Sequence, residues 1–361
     1  MKEFIYRLRP SVSFIPIDIK NNRYDFFISN TRQNISLKLE DNLVSFVKNI
    51  DGTKSLKYLQ KKYNIDSKKL SYFINYLIDN CIIEEIDTAY KIQKNDYRRI
   101  INFLGDYIST EEVLEAFEEI CNSHVVIIGL GALGSWISRL LAQNGITNLT
   151  LLDNDIAKIS NLNRSLFFED NLGEKKIDAI SADIKKFNSS ANIEKIYDFL
   201  EEDDQLKLIL ENIDNDNILV INCADYPNVD ITSEIVHKAC MKTKTPYIIA
   251  GGYNLHLSLI GPTILPFESA CYECMKLTLE ELNNFNFKNL KKLSRKKRNL
   301  GNLAPLAGIS ASFVVNESVR ILSNRIKPYM INKRGEYNFL TNEINFINLP
   351  RRKDCKDCGE V

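Results

Sequence analysis

Near the start of the chain, apolar and polar residues alternate in two short runs, Arg23 to Ser29 and Ile35 to Leu39, separated by Asn-rich turns. A period of two predicts two or three antiparallel strands over residues 12–40. The period then changes. Leu70, Phe73, Ile74, Leu77 and Ile78 recur at i, i+3, i+4, i+7 and i+8 behind Asp66-Ser67, which predicts a helix with one apolar stripe. Cys81-Ile82-Ile83 then reads as a return strand. Residues 1–90 are therefore expected to form a small β-then-α unit of winged-helix type. Residues 91–122 link it to the rest, and Ser109-Thr110-Glu111-Glu112 carries a capping-box pattern that predicts a helix through Ile120.

At His124 the texture changes again. Val125 to Ile128 is an unbroken apolar run, followed by a glycine-rich loop, a helical pattern to Gln143 and a second apolar run from Leu149 to Leu152. Such runs fit strands buried on both faces, so a βαβ unit is expected. Further runs at Ile218 to Ile221 and Tyr247 to Ala250 alternate with helical segments, and residues 123–361 are predicted to be a doubly wound α/β domain. Between residues 275 and 303 the pattern dissolves into a polar stretch with Lys291, Lys292, Arg295, Lys296, Lys297 and Arg298. It reads either as a solvated loop or as a lid over an anionic ligand.

Charge changes this picture little. The 47 basic and 47 acidic residues cancel, which disfavours a nucleic-acid binder. The N-terminus has no apolar signal region and the chain has no apolar run of about 18 residues, so a soluble cytoplasmic protein without a membrane partner is expected. Of eight cysteines, Cys81, Cys121, Cys223 and Cys240 stand alone and read as small buried residues. The other four form Cys271-Tyr272-Glu273-Cys274 and Cys355-Lys356-Asp357-Cys358. Four thiolates with no open position suit a closed, structural tetrahedral Zn2+ site; the redox alternative lacks a pair that opens a helix after a strand.

The chemistry concentrates after residue 128. Gly129-Leu130-Gly131-Ala132-Leu133-Gly134 follows a strand and opens a helix, where glycines admit a phosphate to backbone N–H groups. Asp153, ending the next strand, is placed for ribose hydroxyls. These features point to an adenosine-containing ligand and leave NAD and ATP both open. The segment from Leu151-Leu152-Asp153-Asn154-Asp155 through Ser160-Asn161-Leu162-Asn163-Arg164 to Gly173-Glu174-Lys175-Lys176, with Asn222-Cys223-Ala224-Asp225 and Ala304-Pro305-Leu306-Ala307-Gly308, resembles the ThiF/MoeB family, relatives of the ubiquitin-activating enzymes. The resemblance runs over residues 95–361. It implies ATP-dependent adenylation with release of pyrophosphate. Gly129, Gly131, Gly134, Asp153, Asp155 and Asn161 would bind the nucleotide, Arg164 and Lys176 the polyphosphate, and Asp225 a Mg2+ ion. It also implies a homodimer in which Arg99 reaches the partner subunit's phosphates, and zinc on Cys271, Cys274, Cys355 and Cys358.

No cysteine lies between Cys274 and Cys355, which argues against a thioester step. From Tyr97 onward, Ala250-Gly251-Gly252-Tyr253, Gly261-Pro262 and the Cys271 to Cys274 knuckle are similar to the peptide-modifying branch, the microcin C and pantocin maturation enzymes. The first 90 residues resemble the PqqD-like leader-recognition domain, with Pro10-Ser11-Val12 opening the strands and Asp51-Gly52 before the second helix. The substrate implied is a ribosomal precursor peptide, activated at a Glu side chain for cyclisation or at a C-terminal Asn. The other readings are a sulfur-carrier activator, an NAD-dependent oxidoreductase, a catalytically dead scaffold and, for the N-terminal unit alone, a dimerisation appendage.

Overall fold

The computed structural model describes residues 4–250, 253–254, 257–283 and 303–359. The basic stretch 291–298 and Gly251-Gly252 lie outside them. Two compact units are present, Met1–Glu118 and Glu119–Val361. In the first, β1 (Ile5–Leu8) lies between β5 (Asp51–Ser55) and β6 (Ile83–Glu85), and β2 (Val12–Asp18), β3 (Arg23–Ile28) and β4 (Gln33–Lys38) form a second antiparallel sheet. Helices α1 (Asp41–Val47), α2 (Leu56–Lys62) and α3 (Ser67–Asp79) follow the strands, then α4 (Ile86–Gln93), α5 (Arg98–Leu104) and α6 (Val113–Asn122). The alternation is visible in the packing: Tyr24, Phe26 and Ile28 of β3 are buried in one cluster with Phe46, Leu59 and Leu77. Asp25, between them on the opposite face, is satisfied by Asn34 Nδ2 and Ser36 Oγ, each at 2.6 Å.

Three expectations for this unit shift. Strands β1 and β5 are absent from the periodicity reading; four or five residues paired on a partner carry too little pattern. The return strand starts at Ile83, because Cys81 takes a left-handed φ of 54° and closes α3 through Cys81 N to Ile78 O and Ile82 N to Leu77 O. Helix α6 begins at Val113, after the Ser109-Thr110-Glu111-Glu112 segment, where the Ser109 hydroxyl donates to the Glu112 carboxylate at 3.1 Å, and it ends at Asn122.

The second unit is the doubly wound fold. Its six-stranded sheet has the order β14-β11-β10-β7-β8-β9, built from β7 (His124–Ile128), β8 (Asn148–Leu152), β9 (Asn192–Ile196), β10 (Ile218–Asn222), β11 (Tyr247–Ile249) and β14 (Thr263–Ile264). All neighbours are parallel except β11 and β14. The crossovers are α7 (Ala132–Gln143), α8 (Lys176–Phe187), α9 (Asp203–Glu211) and α10 (Val229–Thr243). A four-stranded antiparallel sheet, β12 (Tyr253–Asn254), β13 (Leu257–Ile260), β15 (Lys333–Asn338) and β16 (Glu343–Asn348), accompanies α11 (Tyr272–Asn283) and α12 (Ala304–Leu322). It rests on α12, where Ser258 Oγ donates to Leu306 O and Ser310 Oγ to Leu259 O. Val125, Val126 and Ile127 are wholly inaccessible, as a central parallel strand requires.

Candidate active site

Strand β7 sends the chain to β8 on one side, while β10 lies on its other side, so the strand order reverses between β7 and β10. Ligands of open α/β sheets bind outside the carboxyl ends of strands at such a switch point. The glycine loop stands there. Gly129 has φ +84°, and a Cβ on it would lie 2.8 Å from the Ala224 backbone; a Cβ on Gly134 would lie 1.9 Å from Gly129 O. These two glycines let the loop, the start of α7 and the end of β10 touch, and Cys223 N donates to Ile128 O at 2.7 Å to lock them. Gly131 is different. A Cβ there meets nothing within 4 Å, so its backbone faces open space.

Around the loop stands a charged cluster. Asp153 is buried, and its Oδ2 accepts Leu130 N–H at 2.6 Å while its Oδ1 accepts Asp155 N–H at 2.8 Å. The chain after it doubles back: Ala157 N donates to Glu174 O, Gly173 N to Ala157 O and Lys176 N to Asp155 O. That return delivers the buried Lys176 side chain, whose Nζ lies 2.9 Å from Asp155 Oδ2 and 4.0 Å from Asp153 Oδ1. Lys158 Nζ holds the other Asp155 oxygen at 2.8 Å. Burial pushes the Asp155 carboxyl up, but the Lys158 and Lys176 hydrogen bonds outweigh it and hold the pKa down at about 2.

Arg164 is half-buried and Asp225 is exposed. The Arg164 carbonyl accepts the Trp136 indole N–H at 3.1 Å, which ties its segment to α7, and its guanidinium donates to Ser160 O and Asn163 Oδ1. Asn161 is buried and its Oδ1 accepts Lys158 N–H at 2.9 Å, a tie that shapes the turn. Asp225 stands three residues beyond β10 and just before the cis Tyr226-Pro227 bond. Desolvation and then the Asp225 charge push the Cys223 thiol well up, so it stays protonated and is no nucleophile at neutral pH.

The four paired cysteines are buried and together. Their sulfurs lie within 4.8 Å of one another, with Cys271–Cys355 at 3.5 Å, Cys274–Cys358 at 3.4 Å and Cys271–Cys274 at 3.9 Å. A tetrahedron with Zn–S of about 2.3 Å has edges of about 3.8 Å, so the set fits a Zn2+ ion. Arg352 N–H points at Cys274 Sγ at 3.4 Å, a donor suited to a thiolate. Burial raises the Cys271 pKa well above the thiol range and that of Cys274 to about 11. At Cys355 burial is outweighed by backbone N–H groups of Asp357 and Cys358, and the pKa falls. His237, buried between Tyr247 OH at 2.8 Å and Asp357 Oδ2 at 2.9 Å, pins the second knuckle to α10. Cys271 directly precedes α11, but β14 ends at Ile264, so the first pair opens a helix without following directly on a strand.

Residues 106–358 match the model of the ThiF family. The chain belongs to the ThiF family. Among its relatives is the Escherichia coli molybdopterin-synthase adenylyltransferase, 27% identical over 73% of this chain and 96% of that protein. The E. coli sulfur carrier protein ThiS adenylyltransferase is 25% identical over the same shares. The fold is shared with E. coli MccB crystallised with ATP, at a TM-score of 0.71, 23% identity and coverage of 98% of this chain and 99% of that one. PaaA also shares it, at a TM-score of 0.63, 20% identity and coverage of 95% and 100%. This ThiF-family chain is an adenylyltransferase, and the expected likeness to the peptide-modifying branch is present in its fold.

For the ThiF reading, the structure assembles Gly129, Gly131, Gly134, Asp153, Asp155 and Lys176 at one switch point, with Asn161 and Arg164 tied in through Lys158 and Trp136. Arg99 lies exposed on α5 in the other unit. Lys158 and Trp136 escape the sequence reading. The spacing of Asp155 and Lys158 is a common surface pairing, and a lone Trp carries no positional signal.

Proposed function

We propose that this enzyme uses Mg-ATP to adenylate a carboxyl or carboxamide group of a ribosomally made peptide, releasing pyrophosphate. The observation that carries this is Lys176: a buried ammonium brought back beside a glycine loop and two carboxylates, where it can serve a polyphosphate and where a nicotinamide would have no use for it. The substrate oxygen attacks the α-phosphorus, an oxygen–phosphorus bond forms, and the bond to the β-phosphate breaks with pyrophosphate as leaving group. Backbone N–H groups at Gly131 would approach the phosphates. Lys176 and Arg164 would offset charge growing toward the leaving group, and Asp225 would hold a Mg2+ ion that supplies further positive charge there. Arg99 of the partner subunit would complete the site in a homodimer. Zn2+ on Cys271, Cys274, Cys355 and Cys358 would tie the C-terminal segment to the body without touching substrate.

A peptide substrate is supported by the MccB fold over nearly the whole chain, since MccB has been crystallised with MccA. The N-terminal unit is assigned as the PqqD-like leader holder. Its edge strand β2 contains Pro16 and a register shift, which blunt it, whereas β4 is an edge without proline whose Ile35 and Leu37 are half-buried. The leader would add beside β4 as a further strand. Our assigned reacting group is a Glu side chain captured within the peptide. The higher TM-score to MccB than to PaaA favours, as the second reading, a C-terminal Asn. Mass spectrometry of enzyme, Mg-ATP and the peptide encoded beside its gene decides. Loss of one water with AMP release indicates the ring, and a retained nucleotide indicates the C-terminal route. ADP as product, or a Gly-Gly-ended protein as the species adenylated, would refute the peptide reading.

A further inference from the structure

One strand beyond β10, the second unit encloses a cavity of about 650 Å³, within the range of small-ligand sites. It opens at the same carboxyl edge of the sheet: Val229 and Asp230 begin the helix that follows Asp225, and Ile249 pairs with Asn222 at the end of β10. One wall is α11, with Met275 and Leu279. Another is the face of the antiparallel sheet turned away from α12, where Leu259 stands opposite Glu336 and Arg334 lies two residues along the same face.

Arg334 is the unusual member. Its Nη2 donates to Glu336 Oε1 at 2.5 Å, yet its Nε is buried and has no acceptor among the described residues. A buried donor left unmet is costly, and a ligand oxygen would relieve it. The surroundings define that oxygen. Arg334 and Lys276 are already bonded to Glu336 and Glu273, and Asp230 and Glu280 add two further carboxylates on the lining. An entering anion meets net negative charge, whereas a neutral carbonyl or carboxamide oxygen does not.

We propose that this cavity seats the reacting end of the peptide, and that Arg334 selects it by donating Nε–H to a neutral carbonyl or carboxamide oxygen while Ile249, Leu259 and Met275 hold its apolar part. This rests on the peptide-adenylation reading above in its second form, the C-terminal Asn with its neutral carboxamide; the Glu route would bring a carboxylate, an anion, into the cavity. The test uses the immobilised full-length chain, a Mg-bound non-hydrolysable ATP analogue, and synthetic heptapeptides randomised at their last three positions, with retained peptides identified by mass spectrometry. Wild type should retain a subset rich in neutral ends, and Arg334→Met and Leu279→Trp, on opposite walls, should each lower that retention by tenfold or more. Binding of the analogue should be unchanged in both, which also shows that they fold. Equal retention by wild type and the folded variants, no retention by wild type, or enrichment of Asp and Glu would overturn the proposal. Arg334-dependent retention by a chain that does not bind the ATP analogue would instead overturn adenylation and leave the cavity assignment standing.

Discussion

Lys176 couples local chain geometry to charge placement. Its ammonium is held by Asp155, and a polyphosphate must compete for it. Because such a group acts on charge that develops in the transition state, Lys176→Ala is expected to lower kcat by about 10²–10³-fold. Arg164→Ala, at a half-buried position, and Asp225→Ala, at an exposed one, should each lower activity while leaving the fold intact, and Asp225→Ala should change stability by no more than about 0.5 kcal/mol, as read by thermal unfolding. Normal turnover in any of the three would remove that residue from the site. Asp155 gives a pH test. Its folded pKa of about 2 lies below the unfolded value of about 3.9, so its stabilisation is full above pH 4 and fades as pH falls through 2. The stability gap between wild type and Asp155→Asn should therefore be constant from pH 7 to about 5 and shrink below about 4. A gap that grows on acidification would contradict the ion-pair geometry.

At the scale of elements, the glycine loop and the cysteine knuckles make opposite demands. Gly134→Ala places a methyl against Gly129 O, backbone that cannot yield, and should destabilise the join of β7 to α7. Gly131→Ala meets no protein atom, so it should leave the melting temperature near wild type and raise the KM for ATP. Equal losses of stability in the two would mean that the loop packs differently. The knuckles join α11 to the C-terminal segment through buried sulfurs. Metal analysis should find about one Zn per chain, and Cys271→Ser should lose the metal and unfold at lower temperature, because a closed site contributes folding energy. A stable but inactive Cys271→Ser protein would point to a metal that takes part in chemistry.

For the whole molecule, Arg99 lies in the first unit and the nucleotide cluster in the second. If Arg99 serves the partner subunit's site, the dimer is composite. Mixing inactive Arg99→Ala and Lys176→Ala enzymes, with subunit exchange, should then restore about a quarter of wild-type activity, since half the dimers are mixed and each carries one intact site. No recovery despite exchange, shown by native mass spectrometry, would place Arg99 in its own subunit's site or outside any. Among the described residues no helix is long and apolar enough to cross a membrane.

What the sequence determined alone was local and periodic. The parallel strands, the apolar stripe of α3, the glycine loop and the two Cys-x-x-Cys pairs are legible because each depends on residues a few positions apart. Short strands such as β1 and β5 are not legible, since their partners lie far along the chain and pairing, not propensity, makes them strands. Tertiary structure alone decided that Lys176 returns to Asp155, that cysteines 84 residues apart meet, and that Arg334 carries an unmet donor into a cavity. These are facts about groups brought together by the crossing of strands, and no linear spacing encodes the distance between them.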